Sequence, residues 1–344
     1  MEKFELGKTG LMCAKIGFGA LPLQRADKAE AVRIIKRAHG AGINFYDTAR
    51  FYTDSEEKLG EAFKGIRDDV VLASKVSGAA TGSDVTNLIE TSLKQLKTDR
   101  IDLMQFHNTP FMPQPGGSDG MYEAMAQAKA AGKVLHIGLT NHKIEIVLKA
   151  IESGLYETVQ YPLSYISTPE EIAILEDCEQ SGVGFLAMKP LAGGLLNNAA
   201  AVYWFFEEHK GKCLPLYGIQ RMEELEEFLS FIEKPPLKEA VLPVIENDRK
   251  ELSGDFCRGC GYCLPCPAGI ELPMVTRMYH LLRRSPVAEW VTSDWRAKMQ
   301  KTKECQHCGA CDERCPYGLN PQGKLKAQYD DYIKVYADYH SRGG

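Results

Sequence analysis

The chain has 344 residues, 44% hydrophobic and 25% charged, with 41 Lys and Arg against 46 Asp and Glu. The resulting net charge of −5, with no basic stripe along the sequence, argues against nucleic acid as a partner. No apolar run reaches about 18 residues and the opening MEKFELGKTG has no apolar core, so neither a membrane span nor a signal peptide is expected, and the cytoplasm is the expected compartment.

Phe4–Ile16, with Gly7 and Gly10 bracketing Lys8-Thr9, reads as a hairpin. Strands and helices alternate after it. The candidate strands are Ile16–Ala20, Ile43–Thr48, Val70–Lys75, Ile101–His107, Val134–Thr140, Thr158–Tyr161, Gly184–Met188 and Leu214–Tyr217. Helical stretches between them include Lys28–Gly40, Ser83–Lys97, Tyr122–Ala131, Lys143–Ser153 and Pro169–Gln180, and Met222–Ile232 follows the last strand. An acidic helix start stands at Asp54-Ser55-Glu56-Glu57, and glycine is expected to cap helices at Gly40 and Gly132. Strand segments such as VVLA and GFLAM are short apolar runs, the pattern of a parallel sheet buried on both faces. Eight strand–helix units within roughly 235 residues imply an α/β fold of the (β/α)8 TIM-barrel type. A doubly wound sheet is the alternative, but GFGAL after the first strand lacks the third glycine of its fingerprint.

The pattern stops at Lys234-Pro235-Pro236. The expected organisation is a barrel over residues 1–235, a helical connector over 236–254, a small cysteine-rich domain over 255–322 and a helical tail over 323–344. Within the last two, Met274–Arg284 and Gly323–Tyr339 read as helices.

Four polar residues stand at or just past the ends of the second to fourth strands: Asp47, Tyr52, Lys75 and His107. In a barrel such ends converge on one mouth. Singly, each has a plain structural reading, a turn cap for Asp47 or a snorkelling amine for Lys75. Together they suggest proton handling. A phenol, with a reference pKa of about 10, needs a nearby cation to favour its phenolate. Lys75 would be that cation, Asp47 would hold it, and His107 would donate to a substrate oxygen.

On these residues the sequence resembles the aldo-keto reductases over roughly its first 235 residues. NFYDTARFY is similar to the family's strand-two motif, LASKV to the strand of its lysine, and IDLMQFH to the strand ending in its histidine. IGLTNH and TVQYPLS resemble the segments that hold the nicotinamide carboxamide, which implies that duty for Thr140, Asn141 and Gln160. The resemblance implies a barrel, a small carbonyl or alcohol substrate, and NADP(H) or NAD(H) as cofactor. In GFLAMKPLAGG, Met188 stands where most members have a tyrosine stacked on the nicotinamide. YGIQRMEELEEF resembles the adenosine-end motif, bringing in Gly218, Gln220 and Arg221. Arg221 either pairs with a 2′-phosphate or is a solvated charge at a helix start. Between Gly194 and Tyr203 little room remains for the loop that usually clamps the pyrophosphate, so the C-terminal segment is a candidate to complete that end.

Of 11 cysteines, Cys13, Cys178 and Cys213 are isolated and read as small core residues, and the rest form two arrays. In a reducing compartment such arrays point to metal rather than to disulfides. Cys305-x2-Cys308-x2-Cys311-x3-Cys315-Pro316 has the ferredoxin spacing for a [4Fe–4S] cluster, in which the fourth cysteine reaches the neighbouring cluster. Gly309 is expected to turn backbone N–H groups toward the sulfurs. Cys257-x2-Cys260-x2-Cys263-x2-Cys266-Pro267 is one residue shorter before its last cysteine. The crossover would give one cluster to Cys257, Cys260, Cys263 and Cys315, and the other to Cys305, Cys308, Cys311 and Cys266. Zinc is the competing reading, but it takes four ligands, commonly as two separated C-x2-C pairs. The whole chain resembles bacterial aldo-keto reductase-like proteins with a C-terminal ferredoxin-type iron–sulfur domain.

Three functions remain open on this basis. The first is NAD(P)H-dependent redox chemistry on a carbonyl or hydroxyl, with Tyr52 as acid/base. The second is reduction or rearrangement of a barrel-bound substrate by cluster electrons from an external ferredoxin or flavoprotein, without nicotinamide. The third is an electron carrier or binding module with a vestigial barrel. The loop Asn108–Gly120, with Phe111 and Met112, is expected to line an apolar substrate pocket.

Overall fold

The computed structural model describes residues 1–252 and 256–342, so the expected junction at residues 254/255 lies outside the described residues. Two compact units are present. One comprises Met1–Pro190 and Ala199–Leu242, the other Leu191–Asn198 and Pro243–Gly344.

In the first unit, β1 (Lys3–Glu5) and β2 (Met12–Ala14) form the expected antiparallel hairpin. Eight parallel strands follow: β3 (Gly17–Gly19), β4 (Phe45–Asp47), β5 (Val71–Ser77), β6 (Ile101–His107), β7 (Val134–Thr140), β8 (Thr158–Pro162), β9 (Gly184–Met188) and β10 (Leu214–Gly218). They close in the order β10-β3-β4-β5-β6-β7-β8-β9. The helices between and after them are α1 (Lys28–Gly40), α2 (Ser55–Ala62), α3 (Gly82–Leu96), α4 (Met121–Ala130), α5 (Ile144–Ser153), α6 (Pro169–Ser181), α7 (Ala199–Glu208) and α8 (Met222–Glu233).

Helix starts follow local chemistry. Thr81 accepts from the Asp84 amide while Asp84 accepts from that of Thr81, and Thr168 and Glu171 do the same ahead of Pro169, satisfying N-terminal donors that helix geometry leaves open. The end of α1 differs from expectation. Gly40 lies inside the helix, Ala41 caps it, and Gly42, at φ +96°, makes the turn.

Strand side chains alternate between faces, and one face explains how the barrel is filled. Phe45, Ala73, Leu103, Leu186, Leu214 and Leu216 form its apolar floor, plugged by Leu6 and Cys13 of the hairpin segment. Two or four residues further along three of the same strands stand Asp47, Lys75, Ser77, Gln105 and His107. The lining therefore changes from apolar to polar toward the C-terminal ends of the strands, which is where side chains from different strands can meet.

The second unit is helical. Helix α9 (Lys238–Glu251) carries the unit boundary at Pro243, followed by α10 (Leu272–Val275), α11 (Met278–Arg284), α12 (Ser293–Gln300), α13 (Ala310–Glu313) and α14 (Pro321–Ser341). The tail helix packs on α10 and α11. Tyr332, fully buried, donates to Trp290 O at 3.0 Å, and Arg283 forks onto Asp331 at 2.8 and 2.7 Å. The segment Leu191–Asn198, which leaves β9, belongs to this unit, tied to it by Arg284 Nε on Leu195 O at 2.7 Å. No described helix is long and apolar enough to cross a membrane.

Candidate active site

The floor-to-mouth gradient brings Asp47, Tyr52, Lys75 and His107 together. Lys75, 1% exposed, donates to Asp47 Oδ2 at 2.6 Å and to Thr48 O at 2.7 Å. Its Nζ lies 5.2 Å from the centre of the Tyr52 ring, and that ring meets the His107 ring edge-on at 6.0 Å between centres. Tyr52 reaches the mouth because its amide closes a turn on Ala49 O and its carbonyl accepts from Ser55 at the start of α2.

Three participants escaped the motif reading. Ser77 Oγ lies 2.5 Å from His107 Nδ1. Gln105 Nε2 donates to Asp47 Oδ1 at 3.3 Å. Lys189, at φ +56° just past β9, raises the positive charge felt by His107. The signal for the first two was strand periodicity: Ser77 and Gln105 lie two residues from Lys75 and His107 and share their face.

Electrostatics assign protonation. Burial, then Lys75 and Lys189, hold His107 down at about 3, so its ring is neutral at physiological pH. Burial pushes the Tyr52 phenol above its ordinary value, and Lys75 opposes the shift without reversing it. Lys75 favours the phenolate, but burial outweighs it. The phenol is protonated at neutral pH. Burial also pushes the Asp47 carboxyl up, against the opposing pull of Lys75.

Further along the rim, His107, Thr140 and Gln160 stand in register across β6, β7 and β8. Thr140 Oγ1 points to Met188 Sδ at 3.8 Å. Gln160 is 2% exposed, and its Oε1 is buried without a hydrogen-bond partner. Asn141 Nδ2 donates to Thr109 O at 2.8 Å, and its Oδ1 accepts from the Lys143 amide at 2.9 Å. Gly218 stands beside Gly19 in the β10–β3 pairing. Arg221 Nε is 3.0 Å from Glu224 Oε1 within the first turn of α8, and Gln220 Oε1 accepts from Arg25 at 3.3 Å, both exposed pairs.

The loop after β6 lines an open cleft with Phe111 and Met112, but Lys143, Glu145 and Lys149 line it too, so it is less apolar than expected.

In the second unit the eight clustered cysteines sort into two clefts. Cys257, Cys260, Cys263 and Cys315 line one. Cys266, Cys305, Cys308 and Cys311 line the other, and Cys263 lines it too. Among the described residues, no three His, Cys, Asp or Glu converge tightly enough for a single ion. Sulfurs spread around a cleft suit a polynuclear cluster better than zinc. Backbone donors reach two of them, Gly259 to Cys257 Sγ and Leu319 to Cys315 Sγ, each at 3.4 Å. Gly309, at φ +74°, instead gives its N–H to Gln322 Oε1 at 3.2 Å. Cys13, Cys178 and Cys213 are buried in the barrel unit, where burial pushes each thiol up to about 12.

Comparison with known proteins agrees with both halves. Residues 15–201 match the aldo/keto reductase family, and residues 256–320 match a 4Fe-4S dicluster domain. The chain is 31% identical over 225 residues to L-galactose dehydrogenase of Arabidopsis thaliana, spanning 59% of this chain and 70% of that one. It is 29% identical over 226 residues to an aldo-keto reductase of Bacillus subtilis, spanning 60% and 67%. The holo form of an aldo-keto reductase from Bacillus halodurans superposes with a TM-score of 0.61 at 22% identity, over 72% of this chain and 96% of that one. A Klebsiella pneumoniae aldo/keto reductase solved with NADP and acetate gives 0.58 at 22% identity, over 72% and 94%.

Proposed function

This chain belongs to the aldo/keto reductase family and carries a 4Fe-4S dicluster domain; from that premise we propose that it is an NAD(P)H-dependent oxidoreductase of carbonyl or hydroxyl groups, with Tyr52 as its general acid/base. The observation that carries the reading is the buried Lys75–Asp47 pair set beneath a protonated phenol and beside a neutral imidazole. In carbonyl reduction Tyr52 gives its proton to the substrate oxygen. With Ser77 donating to Nδ1, the His107 proton sits on Nε2 and donates to that same oxygen. Lys75, held by Asp47 and Thr48 O, stabilises the phenolate left behind.

Gln160 Oε1, orphaned and buried, supports a carboxamide partner at this rim. On this reading Thr140, Asn141 and Gln160 orient the nicotinamide and Met188 covers its ring, while Gly218, Gln220 and Arg221 lie at the nucleoside end. When bound, the reduced nicotinamide supplies hydride to the carbonyl carbon. Cys257, Cys260, Cys263 and Cys315 would hold one [4Fe–4S] cluster and Cys266, Cys305, Cys308 and Cys311 a second, exchanging electrons with an external ferredoxin or flavoprotein. Anaerobic turnover of the Tyr52→Phe protein tests the assignment: activity should collapse, and unchanged turnover removes it.

A second reading has support of its own. Asn141 already spends its amide on Thr109 and Lys143, and Arg221 on Glu224. If nicotinamide neither binds nor is consumed, the barrel holds a substrate for cluster-driven reduction. Substrate-dependent reoxidation of reduced clusters, without nicotinamide, distinguishes the two.

A further inference from the structure

The two cysteine clefts differ in charge. The first is lined by Arg258 and Lys324 as well as its cysteines. Behind it sits Arg277, 6% exposed, with no hydrogen-bond partner on Nε and no carboxylate paired to it among the described residues. Its Nη2 donates to Gly193 O at 2.6 Å. Its Nη1 lies 2.6 Å from where a Cβ on Gly259 would stand. Gly259, at φ +63°, is the residue whose amide donates to Cys257 Sγ. The guanidinium is therefore seated on the backbone that cradles a ligand sulfur.

A buried cation without a carboxylate is costly unless an anion stands nearby. Four thiolates around an iron–sulfur core supply one. Among the described residues, no charged side chain lines the second cleft. A carboxylate stands beside one of its sulfurs, with Cys311 Sγ 3.7 Å from Asp312 Oδ1. Cations near that side, Lys301 by Gly269 and Arg314 on Pro265 O, belong to exposed side chains that solvent screens.

We infer that the two clusters are ranked in potential, the one held by Cys257, Cys260, Cys263 and Cys315 lying above the other because Arg277 backs it and Asp312 adjoins the second. The inference rests on the two-cluster ligand sets proposed above. Reduction adds one electron and no proton to a cluster, so a fixed positive charge favours the reduced form and a fixed negative charge opposes it. Electrons entering at the second cluster would then settle on the first.

Potentiometry of the full-length, cluster-loaded protein, followed by low-temperature EPR with dithionite as reductant, tests this. Arg277→Gln should move the higher midpoint negative and leave the lower in place. Arg277→Lys, which keeps the charge, should stay near the parent. Asp312→Asn should move only the lower midpoint, in the positive direction. Unmoved midpoints in R277Q, movement of the lower one instead, or loss of the first cluster in both Arg277 variants would overturn the ranking. A parent protein with fewer than two reducible clusters would overturn the ligand sets on which it rests, a distinct failure.

Discussion

Lys75 Nζ lies 2.6 Å from Asp47 Oδ2 with both side chains sealed from solvent. Such a pair is held together by what breaking it would cost, since removing one partner leaves a buried charge alone. Asp47→Asn should therefore destabilise the barrel by about 3–5 kcal/mol and abolish turnover. Adding Lys75→Met should restore much of the stability and none of the activity. Urea unfolding followed by circular dichroism, beside an anaerobic assay, separates the two effects.

The protonation states give a pH profile. On the proposed mechanism reduction needs the phenol protonated, and burial raises its pKa, so the rate should hold through neutral pH and fall only above the ordinary tyrosine range. No limb should appear near 6.5, because His107 titrates at about 3. A limb near 6.5 that disappears in His107→Gln would contradict the assignment.

The same shift is linked to stability. The unfolded chain takes up the histidine proton near 6.5 while the folded chain resists it down to about 3. This contribution is whole above 6.5 and is lost as pH falls through that window. The pH dependence of stability between 6.5 and 4 should be shallower in His107→Gln than in the parent, measured by urea midpoints.

Ser77 Oγ and His107 Nδ1 stand 2.5 Å apart. Ser77→Ala frees the ring to choose its tautomer, and a lost bond of about 1.4 kcal/mol corresponds to about a tenfold fall in kcat. KM should change less. Steady-state kinetics on the two proteins decide it.

Cys315 sits at the end of the second array yet lines the cleft of the first. Cys315→Ala should therefore damage the cluster of Cys257, Cys260 and Cys263, taking about half the iron. Iron analysis and EPR of the variant should show the other cluster intact.

Much of this was legible in the sequence because polar residues closing short apolar strands have few places to go other than a barrel mouth. The same alternation that places Lys75 and His107 also places Ser77 and Gln105, but neither sits in a recognisable motif, and their value lies in whom they touch. Gly40 is a false stop signal, because Ala41 continues the turn and Gly42 ends it. The membership of Leu191–Asn198 in the C-terminal unit depends on bonds from Arg277 and Arg284, more than eighty residues away. Local pattern carries no trace of such contacts. The protonation of Tyr52 was likewise out of reach, because proximity to Lys75 can be inferred from spacing while the depth of burial that outweighs it cannot.

Under the proposed function hydride, and not a cluster electron, meets the proton of Tyr52. The most direct test is an anaerobic single turnover with NADPH deuterated at the transferable C4 position and benzaldehyde as the carbonyl probe. Deuterium should appear on the carbinol carbon in the parent, and no deuterated alcohol should form on the same timescale in Tyr52→Phe. Alcohol formed without deuterium, with pre-reduced clusters reoxidised by the aldehyde at the parent's rate in Tyr52→Phe, would contradict it.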